Sequence, residues 1–246
     1  WYRHANPDEK FETNYNWSEN TQFWAKYKKL YLESLLKIIK KLKIDKTILA
    51  RDCPRSDIWR MSFYSEYKGT RVNDPIGVGN IFKNTYSEII PEIQTTLGDK
   101  LSILKIPNLE ADDIISLLTT KIMDSDSENK ITVISSDHDL LQIIRPGVTL
   151  MDAKMKPYND KSLGCQNKDI MIKCILGDPS DNIPPAFPNK KVGKVTAQKI
   201  LNSSDMLLQL ISDRDNFDRL ALNYLLINFA NIPDMYRNYF NQLVRI

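Results

Sequence analysis

Only three cysteines (Cys53, Cys165 and Cys174) and two histidines (His4 and His138) occur in the 246 residues. None is spaced as a disulfide framework or a zinc site requires, so the thiols are expected to be reduced and any metal chemistry to rest on oxygen ligands. No apolar run approaches the roughly 20 residues a membrane helix needs. Nor does the polar start, Trp1 to Lys10, carry the apolar stretch of a secretion signal. An intracellular protein with no membrane partner is therefore expected, and nothing in the sequence argues against a monomer. A 42% share of hydrophobic residues beside 26% charged ones suits a globular chain able to bury one core and a small appendage.

Periodicity predicts alternating helices and short buried strands. Residues 22–43 repeat apolar side chains at helical spacing with lysines between them, and KTILA (46–50) reads as a strand running into Arg51-Asp52. Residues 55–85 are polar, aromatic and irregular, and are expected to form a long mobile insertion. A helix over 80–97, a strand near 101–106, a helix from Glu110, the strand ITVIS (131–135), a weaker strand at 148–152 and a helix at 167–176 follow. From Gly177 the pattern turns to Pro- and Lys-rich turns and then four helices near 194–201, 205–211, 216–228 and 234–244. The expected fold is α/β, a mostly parallel central sheet flanked by helices, with residues 1–176 as the core and 177–246 as a helical region.

Carboxylates recur where a core has little use for them. Asp52 follows a strand; Glu110, Asp112 and Asp113 open a helix; Asp137 and Asp139 follow ITVIS; Asp178 and Asp181 lie in GDPSDNI (177–183). Any one of these groups reads equally well as a cap or a turn. Four together do not, because ligand sites of open α/β sheets gather at the carboxyl ends of strands. Eight converging carboxylates would repel and raise one another's pKa values unless cations neutralised them. All-oxygen ligation selects Mg²⁺ or Mn²⁺, and two such ions suit phosphodiester hydrolysis. Setting those eight acids aside leaves 23 of the 31 acidic residues against 34 Lys and Arg, an excess of 11 positive charges that suits a polyanion.

The runs EADD (110–113), SSDHDLLQ (135–142) and GDPSDNI (177–183), with Asp52, Arg60 and YKGTR (67–71), resemble in order and spacing the flap endonuclease and 5′-nuclease family. That family includes the exonuclease domain of bacterial DNA polymerase I. The tail LINFANIP (226–233) looks most like phage-type 5′-nucleases such as the ribonuclease H of T-even phages. The resemblance implies a PIN-like 5′-nuclease core, a helical arch over 55–80 and a helix–three-turn–helix DNA-binding region. It implies a metal-dependent 5′-3′ exonuclease or flap endonuclease acting at DNA 5′ ends, flaps or nicks, with RNA–DNA hybrids as a further substrate. By position, Asp52, Glu110, Asp112, Asp137 and Asp139 would hold two ions closely, and Asp113, Asp178 and Asp181 directly or through water.

By the same resemblance Lys68 and Arg71 would contact the scissile phosphate, Arg60 would serve DNA binding, and Tyr67 would stack on a terminal base. Two departures accompany the likeness. The family begins with a strand that ends in another metal-binding Asp, shortly before a segment like WYRHA, so the sequence opening at Trp1 is expected to lack its natural start. The segment PPAFPNKKVGKVTAQKIL (184–201) is longer than the family's turn and keeps only Gly193 of its glycines. Lys190, Lys191, Gly193 and Lys194 would still bind duplex phosphates there, while a K⁺ ion at that turn is left open. A PIN-like ribonuclease and a catalytically impaired junction-binding protein of the same fold are the alternatives.

Overall fold

The computed structural model describes residues 5, 6, 8, 15–70, 78–158 and 162–245. The chain divides into two compact units, one comprising 1–49 and 71–103, the other 50–70 and 104–246. The division runs through two strands.

In the first unit α1 (Thr21–Leu42) starts where the Asn20 side chain accepts the Phe23 N–H, and stops at Lys43 in a left-handed conformation. A ladder of rings (Phe23 on Tyr27, Trp24 on Tyr27, Tyr27 near Tyr31) runs along one face. Trp24, Tyr27, Tyr31, Leu32 and Leu35 pack on Ile89, Ile90, Ile93 and Leu101. Opposite that face the lysines stay in water, as amphipathic spacing requires. The partner helix is α2 (Val78–Asn84), a wider π turn (Thr85–Ile89) and α3 (Ile90–Leu97) in succession. Within this unit Trp24 donates to Glu88 at 2.9 Å, and Lys28 pairs with Glu92.

Strands β1 (Thr47–Arg51) and β2 (Leu101–Lys105) pair with each other. The second unit adds α4 (Ala111–Ser125), β3 (Ile131–Ile134), a 3₁₀ turn (His138–Ile143), β4 (Val148–Met151) and α5 (Gln166–Leu176). A short 3₁₀ turn (Pro179–Asp181) precedes α6 (Lys194–Leu201), α7 (Ser204–Ile211), α8 (Arg214–Ile227) and α9 (Asp234–Leu243). β3 and β4 are parallel, with Ile131 opposite Val148 and Ile134 opposite Met151. Among the described residues the strands thus form two pairs instead of one continuous sheet. One core of this unit gathers Ile170, Cys174 and Ile175 of α5 with Phe187, Ile200, Leu220 and Leu226, so α5 packs on the C-terminal helices.

Residues 55–70 depart most from the expected mobile insertion. They form two short 3₁₀ turns and bury Ile58, Trp59, Arg60 and Tyr67. The backbone holds them down: Cys53 N–H donates to Leu109, Trp59 N–H to Asn108 and Lys68 N–H to Asp181. Aromatic content was the neglected cue, because rings of this size seldom stay in water when a core is near. Residues 71–77 of the expected arch over 55–80, Arg71 among them, lie outside the described residues. Among the described residues no helix is long and apolar enough to cross a membrane.

Candidate metal centre

The second unit brings the four acidic segments to one place. β1 delivers Asp52 directly at its end, and Asp52 Oδ1 accepts the Ala111 N–H at 2.7 Å, tying it to the first turn of α4. That turn carries Glu110, Asp112 and Asp113. Beyond β3, Asp137 caps the 3₁₀ turn by accepting the Asp139 N–H at 2.8 Å, which sets the two acids side by side. Asp178 and Asp181 come from the tight loop after α5, closed by paired backbone bonds between Asp178 and Ile183, both 2.8 Å. Gly177 has φ +74°, and a Cβ there would lie 2.5 Å from the Ile183 carbonyl oxygen. Only glycine fits a positive φ against a backbone that close.

Three of these acids, Asp139, Asp178 and Asp181, offer oxygen atoms within 4.8 Å of one another, a spacing a single ion can bridge. Asp112 lies in the field of the others. Burial, then Asp137, Glu110 and Asp52, pushes its carboxyl up to about 7. The cluster therefore carries more negative charge than its protein neighbours neutralise, which is the condition a divalent cation relieves. Its donors are all hard oxygens, a set that fits Mg²⁺ or Mn²⁺. Beside the acids opens a cleft of about 640 Å³ lined by Ser135, Ser136, Asp137, His138, Lys173 and Asp178.

Asp113 faces the other way. It is fully buried, and Arg60 grips both its oxygens at 2.8 and 2.9 Å. Trp59 Nε1 donates to it at 3.0 Å and the Glu110 N–H at 3.1 Å. Four hydrogen bonds from the protein thus hold Asp113, which supports Arg60, Trp59 and the start of α4. Arg60 is equally enclosed, reaching Glu110 at 2.9 Å and the Leu226 carbonyl at 2.6 Å. Tyr67 likewise is only 3% exposed. Its hydroxyl sits between Glu110 Oε2 at 3.0 Å and Asp181 Oδ2 at 2.9 Å. One O–H hydrogen serves only one of them at a time. Tyr67 thus braces two acids from different segments, and its own ionisation is pushed far up, by burial first.

Lys68 is at the acids. Its backbone is left-handed (φ 56°), and its ammonium pairs with Glu110 and lies 3.8 Å from Asp181 Oδ1. Lys190, Lys191 and Lys194 are exposed, and Gly193 caps α6. The intervening segment 184–193 contains no helix. Sequence reasoning overlooked Lys173, whose ammonium pairs with Asp139 and, at 2.7 Å, with Asp178 Oδ2. Burial pushes Asp178 up, but hydrogen bonds from Lys173 and Ser180 outweigh it and hold the carboxyl below its ordinary value. A lysine in the last turn of a helix reads as a complement to the helix dipole, which hid its second role. The thiols of Cys53 and Cys174 are pushed up by burial to about 11 and about 12, and stay protonated near neutral pH.

Comparison with known proteins agrees with this architecture. The family described as 5′-3′ exonuclease, N-terminal resolvase-like domain, matches residues 10–169. The chain is 29% identical over 199 residues to a 5′-3′ exonuclease of Mycoplasmopsis pulmonis, covering 78% of this chain and 62% of that protein. It is 26% identical over 227 residues to the ribonuclease H of Enterobacteria phage T4, covering 83% of this chain and 72% of that protein. The fold is similar to that of the bacteriophage T5 flap endonuclease, solved as a complex with DNA and metal ions. That match has a TM-score of 0.66 at 16% identity and covers 88% of this chain and 89% of that one.

Proposed function

Since the chain belongs to the 5′-3′ exonuclease family through its N-terminal, resolvase-like domain, we propose that it hydrolyses DNA phosphodiesters at 5′ ends, flaps or nicks with two divalent cations. The observation that carries the reading is the convergence of carboxylates from four separate segments in one unit, with Asp112 pushed up to about 7 by burial first and then by Asp137, Glu110 and Asp52. Asp52, Glu110, Asp112 and Asp137 would hold one ion, and Asp139, Asp178 and Asp181 the other. When bound, such a pair supplies Lewis-acid activation of water and neutralises charge on the phosphate.

The chain's own residues do the rest. Tyr67 and Arg60 fix Glu110 Oε2 from behind, so Oε1, which Lys68 pairs with, keeps its direction. Lys68 lies beside the acids on a flexible stem and turns to the scissile phosphate when DNA enters, a role Arg71 shares. An electrostatic contact of this kind contributes roughly 3–4 kcal/mol to the transition state, by analogy with oxyanion donors. Lys190, Lys191 and Lys194, with the amide groups at Gly193, hold duplex phosphates without reading sequence. The protein acts as a monomer inside the cell, and RNA–DNA hybrids enter the same site.

Incubation of the purified chain with a 5′-labelled flap, a nicked duplex, an RNA–DNA hybrid and a single-stranded RNA tests the proposal. Mg²⁺- or Mn²⁺-dependent release from the branched DNA is expected, with none in EDTA. Cleavage of single-stranded RNA alone would instead favour a PIN-like ribonuclease. Tight junction binding with no cleavage under any metal would leave a binding protein.

A further inference from the structure

Lys173 stands out because its position is electrostatically odd for a residue beside a proposed cation site. It lies in the last turn of α5, close before Gly177, and reaches forward to two acids from different segments. Those acids, Asp139 and Asp178, are two of the three whose oxygens lie within 4.8 Å of one another. An ammonium therefore occupies the place where a cation would do the same electrostatic work. Lys173, with Lys68 shared between Glu110 and Asp181, leaves the three carboxylates incompletely balanced, and a divalent ion balances them better.

Lys173 also differs from Arg60, a more enclosed cation of this unit. Arg60 is 4% exposed at its side chain and held by Glu110, Asp113 and the Leu226 carbonyl. The Lys173 side chain is 25% exposed, beside an open cleft, on a four-carbon stem that can swing to water. A fixed pair and a releasable one thus lie within the same unit.

We propose that Lys173 is a resident counter-ion of the Asp139–Asp178 pair, holding the two carboxylates together without metal and yielding its place as a divalent cation binds. The inference deepens the two-cation reading and rests on it. Cation affinity at this position is then the difference between binding the ion and expelling the ammonium, so Lys173 weakens it. Removing the ammonium should have the unusual effect of tightening metal binding. A lysine that merely stabilised the fold, or merely positioned ligands, would leave affinity unchanged or lower it.

Mn²⁺ titration of the DNA-free protein, read by calorimetry, tests this. Lys173→Met keeps the aliphatic stem and removes the charge. It is expected to bind its weaker Mn²⁺ ion about tenfold more tightly, as loss of a competing, partly exposed ion pair implies. Without metal the same variant should be less stable, because two neighbouring carboxylates lose their counter-charge. Lys173→Arg retains the charge and should keep an affinity within about threefold of the unaltered protein. Should Lys173→Met fail to fold, the unaltered chain still decides the matter through acetylation of its amines, followed by mass spectrometry. Labelling of Lys173 should rise severalfold on Mn²⁺ saturation, and unchanged or reduced labelling would overturn the proposal. Two ions bound with equal affinity in the unaltered protein and Lys173→Met would overturn this inference and leave the two-cation reading standing. No Mn²⁺ bound by the unaltered protein would overturn both.

Discussion

Replacing Asp113 by alanine separates support from ligation. Asp113 is fully buried and accepts four hydrogen bonds, two from Arg60 and one each from Trp59 Nε1 and the Glu110 N–H. Asp113→Ala leaves the Arg60 guanidinium enclosed, with Glu110 and the Leu226 carbonyl still accepting from it. Removing one partner of a buried pair costs about 3–5 kcal/mol, most of it from the charge left behind. Loss of the acceptor for the Glu110 N–H at the start of α4 adds to that cost. For a chain of this size the sum corresponds to a fall in melting temperature of about 6–20 °C. Urea denaturation and thermal melts with and without Mn²⁺ measure the loss, and Mn²⁺ titration of the folded protein measures ligation. Stability should fall while the folded fraction still binds two ions. A variant within about 1 kcal/mol of the original stability that binds one ion fewer would refute the reasoning.

Three other outcomes follow from the same geometry. Asp112 is pushed up to about 7 from an ordinary 3.8, so the folded protein holds a proton there that the unfolded chain has released. That contribution is absent below about pH 4 and costs stability as pH rises from 4 to 7, by up to about 4 kcal/mol. Thermal melts in EDTA across that window should show Asp112→Asn gaining on the original protein as pH rises, and saturating Mg²⁺ should erase the difference. Gly177→Ala forces a Cβ to 2.5 Å from the Ile183 carbonyl oxygen at φ +74°, and is expected to cost about 2 kcal/mol or more in denaturation and to weaken Mn²⁺ binding. Replacing Lys190, Lys191 and Lys194 together by alanine should flatten the dependence of log duplex affinity on log salt by up to about 3 units. A fluorescence anisotropy series over salt checks it, with a short single strand spared.

Most helices were legible because their signal is local. Apolar spacing placed α5 within a residue of its observed Gln166–Leu176, and ITVI stood out as β-branched residues between polar turns. The four acidic segments were legible for another reason: strand ends and helix starts are where a sequence announces an open edge, and acids there are conspicuous. What stayed hidden depends on partners distant in sequence. Nothing near Asp113 tells that Arg60, 53 residues earlier, will consume it. Segment 55–70 was misread because short 3₁₀ turns have no apolar period, and its order comes from Asn108, Leu109 and Asp181. Lys173 gives no local sign of its role, since its two acids lie before and after α5 in sequence.

The central claim is that these carboxylates act on a phosphodiester through bound cations, and single-turnover cleavage by Asp137→Ala tests it most directly. Asp137 is exposed at the cleft, caps a short turn and lies in the field that pushes Asp112 up, so its loss should remove charge without unfolding the protein. On a 5′-flap DNA with saturating Mg²⁺, the rate should fall by at least about a hundredfold while the DNA dissociation constant changes by less than about fivefold. A near-normal cleavage rate in folded Asp137→Ala would contradict the account.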